Sequence, residues 1–167
     1  TLTGTAPFPE PEIGVSDSSS VELIDGNIPS AQNFGSLLVD KTSAARTFTI
    51  RNSGDADLTG LAVSVTGTHG SNFIITQPAA TTLAPDGTTT FTIAFKPSAV
   101  GSRSAVIQVA SNDADENPFD INVSGTGLSP APEIDVQQPA GSSQVDGTAK
   151  RTFGTVKVSA KKGKVLT

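Results

Sequence analysis

The run Thr90-Phe91-Thr92-Ile93-Ala94-Phe95 alternates large apolar side chains with small or hydroxylated ones. Successive side chains of a β-strand point to opposite faces, so Phe91, Ile93 and Phe95 share a core side and Thr90, Thr92 and Ala94 a wet one. The same period of two pairs Phe48 with Ile50, and groups Leu61, Val63 and Val65. It continues in Ala105, Ile107 and Val109, and in Phe119, Ile121 and Val123, which stand opposite Asp120, Asn122 and Ser124. No stretch carries a convincing helical period; the longest helix-compatible run, residues 39–46, is too short and too polar. The predicted core is therefore Phe48, Ile50, Val63, Phe91, Ile93, Phe95, Ile107, Val109, Phe119, Ile121 and Val123.

Turn signals separate these runs. Asn52-Ser53-Gly54-Asp55 breaks the first. Ala84-Pro85-Asp86-Gly87 reads as a type I or II turn, with Pro85 presetting its φ and Gly87 free to take a positive one. Lys96-Pro97 ends the strand of Phe91, and Asn112-Asp113 to Asn117-Pro118 is a longer connection. Short strands at short spacing predict an all-β fold, a sandwich of two antiparallel sheets.

Composition narrows the chemistry. The 167 residues suffice for one domain with a real core and a fragment more. There is no Cys, which excludes disulfides and thiolate chemistry, and the single His69 has no partner for a multi-His metal site. A net charge of -5 argues against nucleic acid. No apolar run approaches the roughly 18 residues of a membrane-spanning helix. All eight aromatic residues are Phe, so the Trp and Tyr platforms that stack sugars are missing. The chain opens without Met and without a signal-peptide pattern, which suggests a processed or excised piece.

The chain also repeats itself. Gly4 matches Gly125, Glu12 matches Glu133, and Asp25-Gly26 matches Asp146-Gly147, all offset by 121. Phe34-Gly35 matches Phe153-Gly154 at an offset of 119, and Leu37 and Val39 match Val156 and Val158. The reading is one complete domain at residues 12–127. Residues 1–11 end a preceding repeat or form an N-terminal strand, and residues 128–167 start a second repeat and leave it incomplete. The tail residues Ile134, Val136, Phe153, Val156, Val158, Val165 and Leu166 are expected to be ordered by pairing or docking against another folded unit. Residues 1–127 hold five basic against thirteen acidic side chains, while residues 128–167 hold six against three. That asymmetry favours head-to-tail contact between copies.

Three stretches then carry a family likeness: residues 46–58, with Asn52-Ser53-Gly54-Asp55-Ala56-Asp57-Leu58; Leu83-Ala84-Pro85-Asp86-Gly87 before Phe91; and Ser111-Asn112-Asp113 to Phe119 with Ser124-Gly125-Thr126-Gly127. Together they resemble bacterial choice-of-anchor D repeats, related to the ASPM–SPD-2–Hydin (ASH) immunoglobulin-like domains. The resemblance implies an immunoglobulin-like β-sandwich in a large, repetitive cell-surface or secreted bacterial protein. It brings no catalytic residues. Animal relatives of the family act inside cells, at centrosomes and cilia, so an intracellular scaffold is an alternative. A third reading is the subunit of an extracellular filament, a homopolymer joined by strand addition between copies. Other copies of the same or neighbouring repeats are the expected partners in each case.

Candidate chemistry is sparse. Asp113, Asp115 and Asn117 offer oxygens at i, i+2 and i+4, as a calcium loop begins. Pro118 stands where such a loop needs Gly, and Ser124 where it needs a bidentate Glu. The expectation is therefore no metal or cofactor, with calcium at these residues absent or weak, and side chains that bond to the loop backbone instead. Asp55 and Asp57 could join only if the fold brings the loops together. His69 and the nearby Ser71 show no positioned triad, and His69 is expected to be solvent-exposed. Asn122-Val123-Ser124 matches a glycosylation sequon but sits in a predicted strand. No enzymatic activity is expected.

Overall fold

A computed structural model describes residues 8–26 and 32–131. The expectations placed on residues 1–7 and 132–167, the ordering of the tail included, lie outside the described residues. The chain divides into two compact units, residues 1–130 and 131–167; the fold below is that of the first.

Ten strands are described: β1 (Ile13–Ser16), β2 (Gln32–Leu38), β3 (Arg46–Asn52), β4 (Leu58–Thr59), β5 (Ala62–Thr66), β6 (Phe73–Thr76), β7 (Thr82–Leu83), β8 (Thr88–Phe95), β9 (Gly101–Ala110) and β10 (Phe119–Leu128). The described helical structure is one 3₁₀ turn, Gly70–Asn72. One sheet runs β1-β3-β8-β6 and the other β2-β10-β9-β5, with β4 and β7 forming a small ribbon. This is an immunoglobulin-like β-sandwich. All pairs are antiparallel except β2 with β10, which are parallel.

The alternating residues meet between the sheets. Every predicted core residue is buried, and Ile50, Ile93, Phe95, Ile107 and Val109 are fully so. Phe48 stacks on Phe91 across the β3–β8 pair, with ring centroids 5.4 Å apart. Phe34, Phe73 and Phe95 form a second aromatic cluster, with the Phe34 and Phe73 rings edge to face at 5.8 Å. Phe34 reaches the core because β2 is irregular. Its register against β10 shifts between Ser124 and Thr126, at Gly35, whose φ is +74°. The Arg46 guanidinium covers the same ring at 4.5 Å and bonds to the Asn33 carbonyl.

The inner face of β10 tapers. Phe119, Ile121 and Val123 fill the space between the sheets, and Gly125 and Gly127 continue the same face. A Cβ on Gly125 would lie 2.6 Å from the Phe95 ring, and one on Gly127 would meet the Ala99 carbonyl oxygen. The Ser-Gly-Thr-Gly stretch thus lets Phe95 and the loop after β8 close over the end of the last strand.

The turn before β8 corrects one expectation. Gly87 N donates to the Ala84 carbonyl at 2.8 Å, closing the turn, but the positive φ, 63°, belongs to Asp86. The third residue of a type II turn needs that conformation, and Asp tolerates it. Asp86 also pairs with Arg51 at 2.6 Å, between two exposed side chains. Gly87 is small for another reason, since a Cβ there would meet the Ala84 oxygen at 2.8 Å.

Two poles follow from the strand directions. The chain enters β1 at the pole that holds the end of β3, the start of β8 and the loop between β9 and β10. Ile13 N donates to Asp113, and Asn52 N to the Gly87 carbonyl. It leaves β10 at the opposite pole, where Val39 N donates to the Leu128 carbonyl, Asp40 N to the Pro97 carbonyl and Ser43 N to the Phe95 carbonyl.

Candidate acidic site at the pole where the chain enters

The loop from Ser111 to Pro118 is held by its own polar side chains. Asn112 Oδ1 accepts from Thr59 N at 2.7 Å, and its Nδ2 donates to the Asp57 carbonyl at 3.1 Å. Asn117 Oδ1 accepts from Ser111 N at 3.2 Å. Asp113 N donates to Ser111 Oγ, and Asp113 Oδ2 accepts from Ile13 N at 2.8 Å. The loop therefore ties β4 and the first residue of β1 to the β9–β10 connection. The expected bonding of these side chains to backbone is what the loop displays.

The same packing gathers charge. Carboxylate oxygens of Glu12, Asp113 and Asp115 all lie within 4.8 Å of one another. Asp113 is only 2% exposed, while Glu12 and Asp115 face solvent. Burial first, and then the neighbouring Asp113, Asp115 and Glu10, raise the Glu12 carboxyl above its ordinary value. Burial, then Glu12, Asp113, Asp25 and Asp115, do the same to Glu116. The repulsion is that of like charges crowded on a surface with no basic side chain among them. Glu12 and Glu116 therefore take up protons more readily than free carboxylates do.

Of the sequence candidates, Asp113 and Asp115 come together, and Glu12 joins them from 101 residues away in the chain. Asn117 turns its oxygen to the Ser111 amide instead. Asp57 reaches the loop through its carbonyl and Asp55 donates its N–H to the Glu10 carbonyl; neither belongs to the carboxylate group. Glu12 was visible in the repeat, as the partner of Glu133, but nothing in its flanking sequence marked it for this site. Three carboxylates, one already bonded to backbone, fall short of the six to eight oxygens that calcium favours.

The residue that assembles this pole is Asn52, fully buried at the end of β3. Its Oδ1 accepts from Gly54 N and Glu12 N, and its Nδ2 donates to the carbonyls of Ala56 at 2.7 Å and Leu83 at 3.0 Å. From its flanking residues Asn52 reads as the start of a turn and nothing more. An Asn at the end of a strand before Ser-Gly-Asp is a common turn composition and does not announce a buried side chain.

His69 is half-buried rather than fully exposed, and its Nδ1 accepts from Ser104 N at 3.2 Å in a bond at the surface. Ser71 Oγ accepts instead from Asn72 Nδ2. A shallow groove passes His69, Ser104, Val106 and Asn122. Asn122 lies on β10, with β2 and β9 on either side of it, and its Nδ2 donates to the Gly26 carbonyl. The outward stripe of Asp120, Asn122 and Ser124 is thus partly covered: Asp120 N donates to Asp25 Oδ1, and Gln108 Nε2 donates to Asp120 Oδ1. Among the described residues no helix is long and apolar enough to cross a membrane.

A family model described as the HYDIN/CFA65/VesB-like, Ig-like domain matches residues 27–126. No curated protein matches the sequence. Solved structures with a similar fold include the human CEP192 ASH/PapD-like domain 7, at 15% identity over 78% of this chain and 94% of that one, TM-score 0.49. A Porphyromonas gingivalis W83 protein of unknown function is 19% identical over 75% of this chain and 70% of its own, TM-score 0.49. The Vibrio cholerae VesB protease is 15% identical, over 57% of this chain and 30% of that one, TM-score 0.44.

Proposed function

Because the chain belongs to the HYDIN/CFA65/VesB-like Ig-like domain family, we propose that it is a non-enzymatic structural or adhesion module of a repetitive bacterial cell-surface or secreted protein. The choice-of-anchor D likeness is the finer form of this reading. The observation that carries it is polarity combined with repetition. The sandwich takes the chain in at one pole and releases it at the other, and the next copy of the opening motif begins at Pro132-Glu133, four residues after β10 ends. A module of this kind extends a chain along its own axis, and its loops are free to display contacts.

Antibodies raised against the folded unit test the location. They should label intact cells that make the protein. Labelling only after permeabilisation would overturn the surface reading in favour of the intracellular scaffold. The filament alternative rests on residues 1–5 and 132–167. It requires the full chain to assemble in sedimentation runs and a chain lacking residues 133–167 to stay monomeric.

A further inference from the structure

We infer that this sandwich is a load-bearing unit, whose hydrogen bonds resist a pull along the chain by shear. The argument begins with the poles. Tension applied where the chain enters draws β1 back along its own axis, away from β3. Tension applied at the exit draws β10 along its axis in the opposite direction. In both cases the backbone bonds of the strand lie across the force and are loaded together. A strand peeled from one end surrenders its bonds singly, at much lower force.

The two terminal strands are not equally held. β10 is paired on both sides. Its register with β9 runs from Phe119↔Val109 to Gly127↔Gly101, and its parallel register with β2 runs from Val123↔Gln32 to Leu128↔Leu38. Among the described residues β1 pairs with one strand, β3, over the four residues Ile13↔Asn52 to Ser16↔Thr49, and its other side carries just an isolated bridge, Ser16↔Glu22, and the bond from Leu23 N to the Val15 carbonyl. On strand pairing alone, β1 would be the first to slip.

The chain ahead of β1 is reinforced. The Glu10 carbonyl accepts from Asp55 N at 2.9 Å and Ala56 N at 3.2 Å, and the Glu12 carbonyl accepts from Ser53 N at 2.8 Å. Glu12 N donates to Asn52 Oδ1 at 3.3 Å and Ile13 N to Asp113 Oδ2 at 2.8 Å. These five bonds lie upstream of, or at, the first residue of β1, so tension meets them before it reaches the strand. The contact is so close that a Cβ on Gly54 would lie 2.3 Å from the Glu10 oxygen. The turn after β3 is therefore a clamp on the incoming chain, and Asn52 is its centre.

The biological use of such resistance rests on the structural-module reading. The resistance itself is a property of the folded unit and is measured separately. Forced unfolding is governed by the barrier along the pulling direction, not by equilibrium stability, so direction is the test. The chain has no Cys, so introduced pairs make unique handles. The full chain carrying Phe8→Cys and Ser129→Cys is pulled end to end in a single-molecule force instrument. The full chain carrying Lys41→Cys and Ser129→Cys is pulled at the same loading rate, which peels β2 from β10 at the exit pole. The end-to-end force should be at least about threefold the peeling force. Adding Asn52→Ala should lower the end-to-end force by about a third or more and leave the peeling force nearly unchanged. Equal forces in the two directions overturn the proposal, as does an Asn52→Ala effect of the same size in both. If Asn52→Ala does not fold, the two directions in the unsubstituted fold still decide.

Discussion

Asn52 and Phe91 represent two ways in which one residue holds this fold. Phe91 is 1% exposed and stacks on Phe48. Phe91→Ala should cost roughly 3–5 kcal/mol through lost burial and an unfilled cavity. A loss below about 1 kcal/mol in chemical unfolding would contradict its place in the core. Asn52→Ala removes no large apolar surface but strips bonds from the buried groups around it. At about 1–3 kcal/mol for each buried group left unpaired, a loss of roughly 2–4 kcal/mol is expected in the same measurement. Gly125 shows the opposite sensitivity. Gly125→Ala forces a methyl against the Phe95 ring and should cost about 1–3 kcal/mol. Phe95→Leu in the same chain should recover part of that loss, and a Gly125→Ala variant as stable as the parent would refute the contact.

At the scale of elements, the β9–β10 loop and the start of β1 share one acidic group. Glu12 and Glu116 have carboxyls raised above 4.5 in the fold. The folded state therefore binds their protons more tightly than the unfolded chain does. Their ionised forms oppose folding at neutral pH, and the opposition is relieved as pH falls through the raised values, with no further gain below about 4.5. Glu116→Gln should raise the urea midpoint at pH 7 and flatten the rise of that midpoint as pH falls toward about 4.5. An unchanged midpoint profile would exclude this repulsion. The same group bears on calcium. Binding tighter than millimolar is not expected from three carboxylates, of which Asp113 already serves the Ile13 amide. Calorimetric titration showing micromolar affinity that Asp113→Ala abolishes would reverse that expectation.

For the whole molecule, polarity matters more than any single site. The chain enters at the pole of Glu12 and Asn52 and leaves at the pole of Leu128 and Val39, so copies joined in sequence transmit tension through each sandwich in turn. The described core is closed within the first unit, from Ile13 to Val123. A chain ending at Ala131 should accordingly fold with a single cooperative transition in thermal unfolding. Loss of that transition would show that the first unit depends on residues 132–167.

The strands were legible in the sequence wherever one face is buried and the other wet, because that asymmetry writes a period of two into the residues. Phe48, Phe91, Ile107 and Ile121 all declare themselves in this way, and so do the turns at Lys96-Pro97 and at Pro85. β1, β2 and β6 were harder to read. β1 and β6 span only four residues each, and β2 is interrupted at Gly35, so Ile13, Phe34 and Phe73 show too little alternation to mark their strands. The polar keystones were legible in small part: Asp113 stands in a loop expected to bond to its own backbone, but neither its burial nor the distant partner of any keystone could be read. Asn52, Asn72 and Asp113 have the composition of loops, and only the packed fold buries them and aims their atoms at the Leu83 carbonyl, the Ser98 amide and the Ile13 amide. A hydrophobic pattern reports which face of a segment avoids water. It carries no record of which distant backbone groups a buried amide or carboxylate must satisfy, and that partnership exists only once both segments are in place.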